Sequence, residues 1–174
     1  MADNNENVNV DGETRNALPW YDYQTGVLVP GHVTHLRIGV QQALAALTGS
    51  APEILYLHDQ LCWKHPNLQR LQIHVHTVDN IPFAGFYACP KLHQVELLAT
   101  TGQNSAAAAT SNPSIQPRLV TIEAGSFNAC PNLHSVIGLE HVSYSLERIG
   151  NYAFNHCHKL TTLDLSCLTR LQFL

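Results

Sequence analysis

Charged residues make up only 13% of this 174-residue chain and aromatic residues 7%, so neither a strongly charged surface nor an aromatic-rich one dominates it. No cluster of Lys and Arg is present, and the 9 basic side chains against 13 acidic ones leave a formal charge of −4. A nucleic-acid or anionic-membrane partner is therefore not expected, since both need a concentrated positive field. No apolar run approaches the ~18 to 20 residues of a membrane span. The acidic, polar opening MADNNENVNVDGETRNALPW lacks the basic and then apolar pattern of a secretory signal. Also missing are C-x-x-C pairs, G-x-S-x-G, H-E-x-x-H, G-x-x-x-x-G-K-S/T and G-x-G-x-x-G. Structural zinc sites, serine hydrolases, zinc proteases and nucleotide-phosphate enzymes thus lose their usual local signatures, and no catalytic residue, metal or cofactor is expected.

Histidine is abundant instead. Eleven imidazoles outnumber the Lys and Arg, and protonating all of them would carry the formal charge from −4 to +7. Five cysteines, an odd number, in a chain without a secretory pattern read as free thiols in a reducing, cytoplasmic setting. The one Asn-x-Ser match, Asn112-Pro113-Ser114, is blocked by its proline.

The dominant feature is an internal repeat. FYACPKL (86–92), FNACPNL (127–133) and FNHCHKL (154–160) share F-x-x-C-x-x-L, and CWKHPNL (62–68) keeps the Pro-Asn-Leu end. An aliphatic residue stands five before the first slot (Leu57, Ile81, Ile122, Ile149) and another three after the leucine (Leu71, Val95, Val136, Leu163). A small residue precedes the Phe in three copies (Gly85, Ser126, Ala153), and only Leu61, Cys62 and His65, all in the first copy, break the pattern. Copies starting at 62, 86, 127 and 154 are 24, 41 and 27 residues apart, which fits one unit of about two dozen residues with an insertion at 99–117. That insertion, ATTGQNSAAAATSNPSIQP, has too little apolar surface to offset its ordering entropy and is expected to be a flexible loop.

The pattern I-x-x-x-A/S/G-F-x-x-C-x-x-L-x-x-V resembles the BspA-type leucine-rich repeat, from about Leu57 to Leu165 and most closely at Ile149 to Leu160. Val29 to Ile38 is similar to the opening strand of such an array, whereas Gln41 to Leu47 reads as a short helix where the Ala-Phe box should be. The resemblance implies a leucine-rich-repeat solenoid: short parallel β-strands stacked with turns and short helical or irregular segments. It also implies a protein-interaction scaffold, in a family with many cell-surface members. The expected organisation is a disordered polar tail at 1–16, a capping or degenerate repeat region at 17–56, and repeats over 57–174.

Stacked repeats turn each slot into a column. Leu68, Leu71 and Ile73, with Leu92, Val95 and Leu97 and with Leu160, Leu163 and Leu165, are expected on the inner face of short strands by the period of two. The residues between them then face solvent and form the expected partner-binding surface: Arg70, Gln72, Gln94, Glu96, Ser135, Thr162 and Asp164, with Ile137 in a polar slot. The Phe column is expected to be the thick part of the core, and Cys89, Cys130 and Cys157 to be buried apolar residues. Pro66, Pro90 and Pro131 suit the turn into each strand.

Several histidines suggest an alternative, a metal- or pH-responsive module. His74 and His76 could share a strand face, His156 and His158 should point away from Cys157, and His93 and His134 occupy one slot, so their imidazoles should face one another. Trp20, Tyr21 and Tyr23 are expected to pack over the first coil. The ending LQFL, partway into a further unit, raises the expectation of an incomplete array with an exposed apolar end that self-associates.

Overall fold

The chain was analysed as a computed structural model, which describes residues 19–47, 53–100 and 116–172. The expected tail at 1–16 lies outside the described residues, as does the insertion apart from 99, 100, 116 and 117. Among the described residues there are eight short strands: β1 (Tyr21–Asp22), β2 (His35–Ile38), β3 (Arg70–His74), β4 (Asn80–Ile81), β5 (Gln94–Leu98), β6 (Thr121–Ile122), β7 (Ser135–Ile137) and β8 (Arg148–Ile149). One α-helix, α1 (Val40–Leu47), follows β2, and a 3-10 turn, Leu139–Val142, follows β7.

All strand pairs are parallel. Five strands form one sheet in the order β1-β2-β3-β5-β7, and three form a second in the order β4-β6-β8. The first three repeat copies each contribute one strand to the first sheet beside β2, so repeat slots fall in register: Leu36, Leu71, Val95 and Val136 in one column and Ile38, Ile73 and Leu97 in another. The coil covers the inner face of this ladder, and the alternate residues face outward. Leu36, Ile38, Leu68, Leu71, Ile73, Leu92, Val95, Leu97 and Leu133 are all buried.

The second sheet gives the aliphatic column ahead of the Phe a structural meaning, with Ile81, Ile122 and Ile149 paired side by side. Beyond it the Phe column fills the interior. Phe86 and Phe127 are fully buried and stack with centroids 5.3 Å apart, and Phe127 stacks on Phe154 at 5.4 Å. Phe154 is only partly buried, because it has one such neighbour where Phe127 has two.

The turns around the Phe are joined coil to coil by backbone bonds. The amides of Cys62, Phe86 and Phe127 donate to the carbonyls of Gly85, Ser126 and Ala153 at 2.6 to 2.8 Å. Two residues later, the amides of Lys64, Ala88 and Ala129 donate to Tyr87, Asn128 and Asn155 at 2.8 Å. This ladder is built on left-handed backbone at two fixed slots. Gln60, Ala84, Gly125 and Tyr152 occupy the first, Lys64, Ala88, Ala129 and His156 the second, and Gly125 is the single glycine among the eight.

The cysteine column is buried as expected, and the thiols have a specific role. Cys89, Cys130 and Cys157 each donate through Sγ to the carbonyl of the Phe-slot residue one coil earlier, Cys62, Phe86 and Phe127, at 3.1 Å. In the first copy His65 replaces the cysteine. Its buried ring spans the same gap, with Nε2 2.9 Å from the carbonyl of Pro30 and Nδ1 accepting from the Leu68 amide at 3.1 Å. The first copy is therefore a full member of the stack.

The fourth copy corrects the sequence expectation. Residues 159–165 form no strand and pair with no edge of β7 among the described residues, although the slots for Leu160, Leu163 and Leu165 match the pattern. These leucines are only partly buried, and two of them, Leu163 and Leu165, border a cavity of about 590 Å³ together with Ile149 of the second sheet and Leu171. At the N-terminal side, Tyr21 lies in β1 and Tyr23 is buried, so this segment does pack over the first coil.

Candidate interaction surface

The outward face of the five-stranded sheet is the broadest ordered array of polar side chains in the fold. Period-two alternation sends the partners of the buried aliphatics to solvent, and parallel register spaces them by about 4.8 Å. Arg70, Gln94 and Ser135 form one row, to which β2 adds His35. Gln72, Glu96 and Ile137 form the next, to which β2 adds Arg37 and β1 adds Asp22.

The second row is hydrogen-bonded along its length. Arg37 Nε donates to Gln72 Oε1 at 3.0 Å, and Gln72 Nε2 donates to Glu96 Oε2 at 2.8 Å. A cation and an anion are thereby linked through one amide across three coils, which fixes three long side chains before any partner arrives. Trp20 covers one end, with the Arg37 guanidinium 4.7 Å from its ring centroid and its edge against His35 at 5.1 Å. Ile137 stands exposed at the other end.

Of the expected partner-binding residues, Arg70, Gln72, Gln94, Glu96 and Ser135 lie on this face. Thr162 and Asp164 do not: they are exposed on a segment without strand pairing, and Asp164 Oδ1 accepts the Ser166 amide at 2.9 Å. Hydrogen bonding from the Ser166 side chain, then from its amide, holds the Asp164 carboxyl below the usual range. Arg37, His35 and Trp20 were missed by sequence reasoning. The signal was present, since Val33 to Ile38 already alternates around Leu36 and Ile38, but β2 precedes the recognised repeats.

The histidine expectations divide. His156 and His158 are exposed while Cys157 between them is buried. His74 and His76 share a buried site with ring centroids 5.2 Å apart. Burial, followed by repulsion from His76 and His141, pushes His74 down to about 4. Burial also lowers His76, with the Gln116 backbone opposing the shift. Among the described residues, no group of three or more His, Cys, Asp or Glu side chains is placed to hold a metal ion. Burial pushes the Cys62 thiol up to about 12 and Cys157 to about 11, so neither is poised as a nucleophile.

Residues 105–172 match the family model described as BspA type leucine rich repeat region, six copies. Over these residues the chain is similar to BspA-type leucine-rich repeats. No curated protein matches the chain. Among solved structures, the crystal structure of a leucine rich cell surface protein from Faecalibacterium prausnitzii A2-165 is similar at 20% identity, with a TM-score of 0.24 over 82% of this chain and 48% of that one. The chain spans about half the length of that protein. No helix among the described residues is long and apolar enough to cross a membrane.

Proposed function

We propose that this chain is a non-catalytic interaction scaffold that docks a protein partner on the outward face of its five-stranded sheet. Leucine-rich repeats serve in general as protein-interaction scaffolds. The observation that carries the reading is the linked row Arg37, Gln72 and Glu96, ordered across three coils between Trp20 and Ile137. Pre-ordered polar side chains flanked by an aromatic and an exposed aliphatic provide directional contacts and apolar area together, at low ordering cost. The site is Arg37, Arg70, Gln72, Gln94, Glu96 and Ser135, with Thr162 and Asp164 outside it. Free thiols buried in carbonyl hydrogen bonds suit a reducing compartment, and we assign the chain to the cytoplasm on that ground.

The test is affinity capture from source lysate. The intact chain is expected to recover a specific protein that R70A/E96A loses, while T162A/D164A, on the unpaired segment, keeps it. Capture lost equally in both variants would move the site away from the sheet, and no specific capture by the intact chain would overturn the scaffold reading.

A further inference from the structure

One residue ahead of the strands a second feature crosses the same face. The amides of Gln69, His93 and His134 donate to the carbonyls of Thr34, Gln69 and His93 at 2.7 to 3.1 Å, which aligns these slots coil by coil. His93 and His134 consequently stack, with centroids 5.6 Å apart and planes 3° from parallel. Arg70 Nε donates to His93 Nε2 at 3.4 Å, and Arg70 pairs in register with His35 on β2. Lys91 is exposed beside them and donates to Asn67 Oδ1 at 2.8 Å.

Five nitrogenous side chains thus cover four coils, and none of them has a carboxylate partner among the described residues. Three of the cations elsewhere are paired with carboxylates: Arg118 with Asp79, Arg148 with Glu123 and Arg170 with Glu147. The acids on the same sheet face are engaged, Glu96 by Gln72 and Asp22 by Gln41. The groups facing the His93 and His134 rings are therefore Arg70 and His35 from the preceding coils and Lys91 on the turn into β5. An arginine donating to an imidazole nitrogen requires that nitrogen to be unprotonated. A proton on His93 breaks this bond, frees Arg70, and places like charges side by side. Burial, then Arg70 and His93, already hold His35 below the usual imidazole range.

Resting on the scaffold reading, we infer that the row His35, Arg70, His93 and His134 docks an acidic peptide segment, held when the imidazoles are cationic and released when they are neutral. Carboxylates from outside relieve the repulsion that protonation creates, so binding takes up protons. The length fits an extended peptide. Four coils span about 14 Å, and three acidic residues at alternate positions of a strand-like segment, about 6.8 Å apart, span the same length. A long polyanion is disfavoured, because Glu96 and Asp22 lie on the same face of a chain of net charge −4.

Anisotropy of a fluorescein-labelled Glu-Gly-Glu-Gly-Glu peptide with the full chain, at about pH 5.5 and about pH 7.5 in low salt, tests this. Binding about tenfold tighter at the lower pH is expected, with the pH dependence lost in H93Q/H134Q and binding restored at the higher pH in H93K/H134K. Thermal unfolding of each variant checks that it is folded, and R70Q provides a third variant that leaves both imidazoles in place and is expected to weaken binding at both pH values. Equal affinity at the two pH values, pH dependence that survives H93Q/H134Q, or equally tight binding of a short oligothymidylate would overturn the inference. A lysate partner lost in R70A/E96A but held by H93Q/H134Q at both pH values would also overturn it and leave the scaffold reading standing; peptide binding without any lysate partner would overturn only the latter.

Discussion

The first and fourth repeats invert the order in which sequence and structure rank them. CWKHPNL is the poorest match to the pattern, yet its coil is paired on both sides, β3 lying between β2 and β5. FNHCHKL opens the closest match, yet the residues that follow it form no strand. The fourth copy is still joined through its turns, where Phe127 and Ala129 donate to Ala153 and Asn155 and the Cys157 thiol reaches the Phe127 carbonyl. Slots therefore determine the turn side of a coil by side-chain fit, whereas a strand needs a neighbour whose backbone groups accept and donate in register.

The largest expected effect separates the two ends of the Phe column. F127A removes a buried ring held between two others and is expected to cost about 3 to 5 kcal/mol in denaturant unfolding. F154A, partly exposed and stacked on one ring, is expected to cost clearly less. Equal losses would mean that the fourth coil is as well packed as the third.

A smaller effect tests whether the first copy has truly replaced its cysteine. H65C matches the other coils in sequence, but a thiol does not reach the Pro30 carbonyl and leaves the Leu68 amide without the acceptor it uses. A loss of about 1 to 3 kcal/mol is expected, measured by the same unfolding curves. An unchanged midpoint would show that this copy needs no histidine.

Acid stability distinguishes the buried imidazoles at the end of β3, His74 and His76, from the exposed pair in the fourth repeat. His74 sits at about 4 in the folded chain, below the usual value of 6.5, so the unfolded chain takes up its proton first as pH falls. Its contribution is complete above about pH 6.5 and is lost progressively as pH falls toward 4. After allowance for partial solvent access, about 1 to 2 kcal/mol is expected to be lost over that window, and H74Q is expected to flatten the slope while H156Q/H158Q leaves it unchanged.

Much of this architecture is legible in the sequence, for identifiable reasons. Leu71, Val95 and Val136 recur at one slot because stacking repeats one environment, and the same logic placed His93 against His134 and buried Cys89 and Cys130. Other features carry no mark in residue type. The second sheet is three pairs of residues, Asn80–Ile81, Thr121–Ile122 and Arg148–Ile149, too short to show alternation. Arg37 enters the surface because β2 pairs with β3, which only the assembled sheet reveals. The missing fourth strand is likewise a property of its surroundings, since Leu160, Leu163 and Leu165 keep the pattern.

The left-handed slots are the least legible feature, and they yield the smallest and most directed prediction. Glycine would ordinarily mark such backbone, yet Ala88 and Ala129 sit at φ of 55° and 59°. They are held there because their amides must reach Asn128 and Asn155 in the next coil. For an alanine this conformation costs about 1 to 2 kcal/mol, and glycine returns part of that gain through the entropy it loses on folding. A88G and A129G are each expected to raise stability by about 0.5 to 1 kcal/mol, measured by the same unfolding curves. H156G tests the same slot in the fourth repeat, whose turn has a preceding coil to bond but no following strand to support it. A gain there as large as at Ala129 would show that strain is set by the turn alone; a smaller gain would show that the unpaired coil already relaxes it.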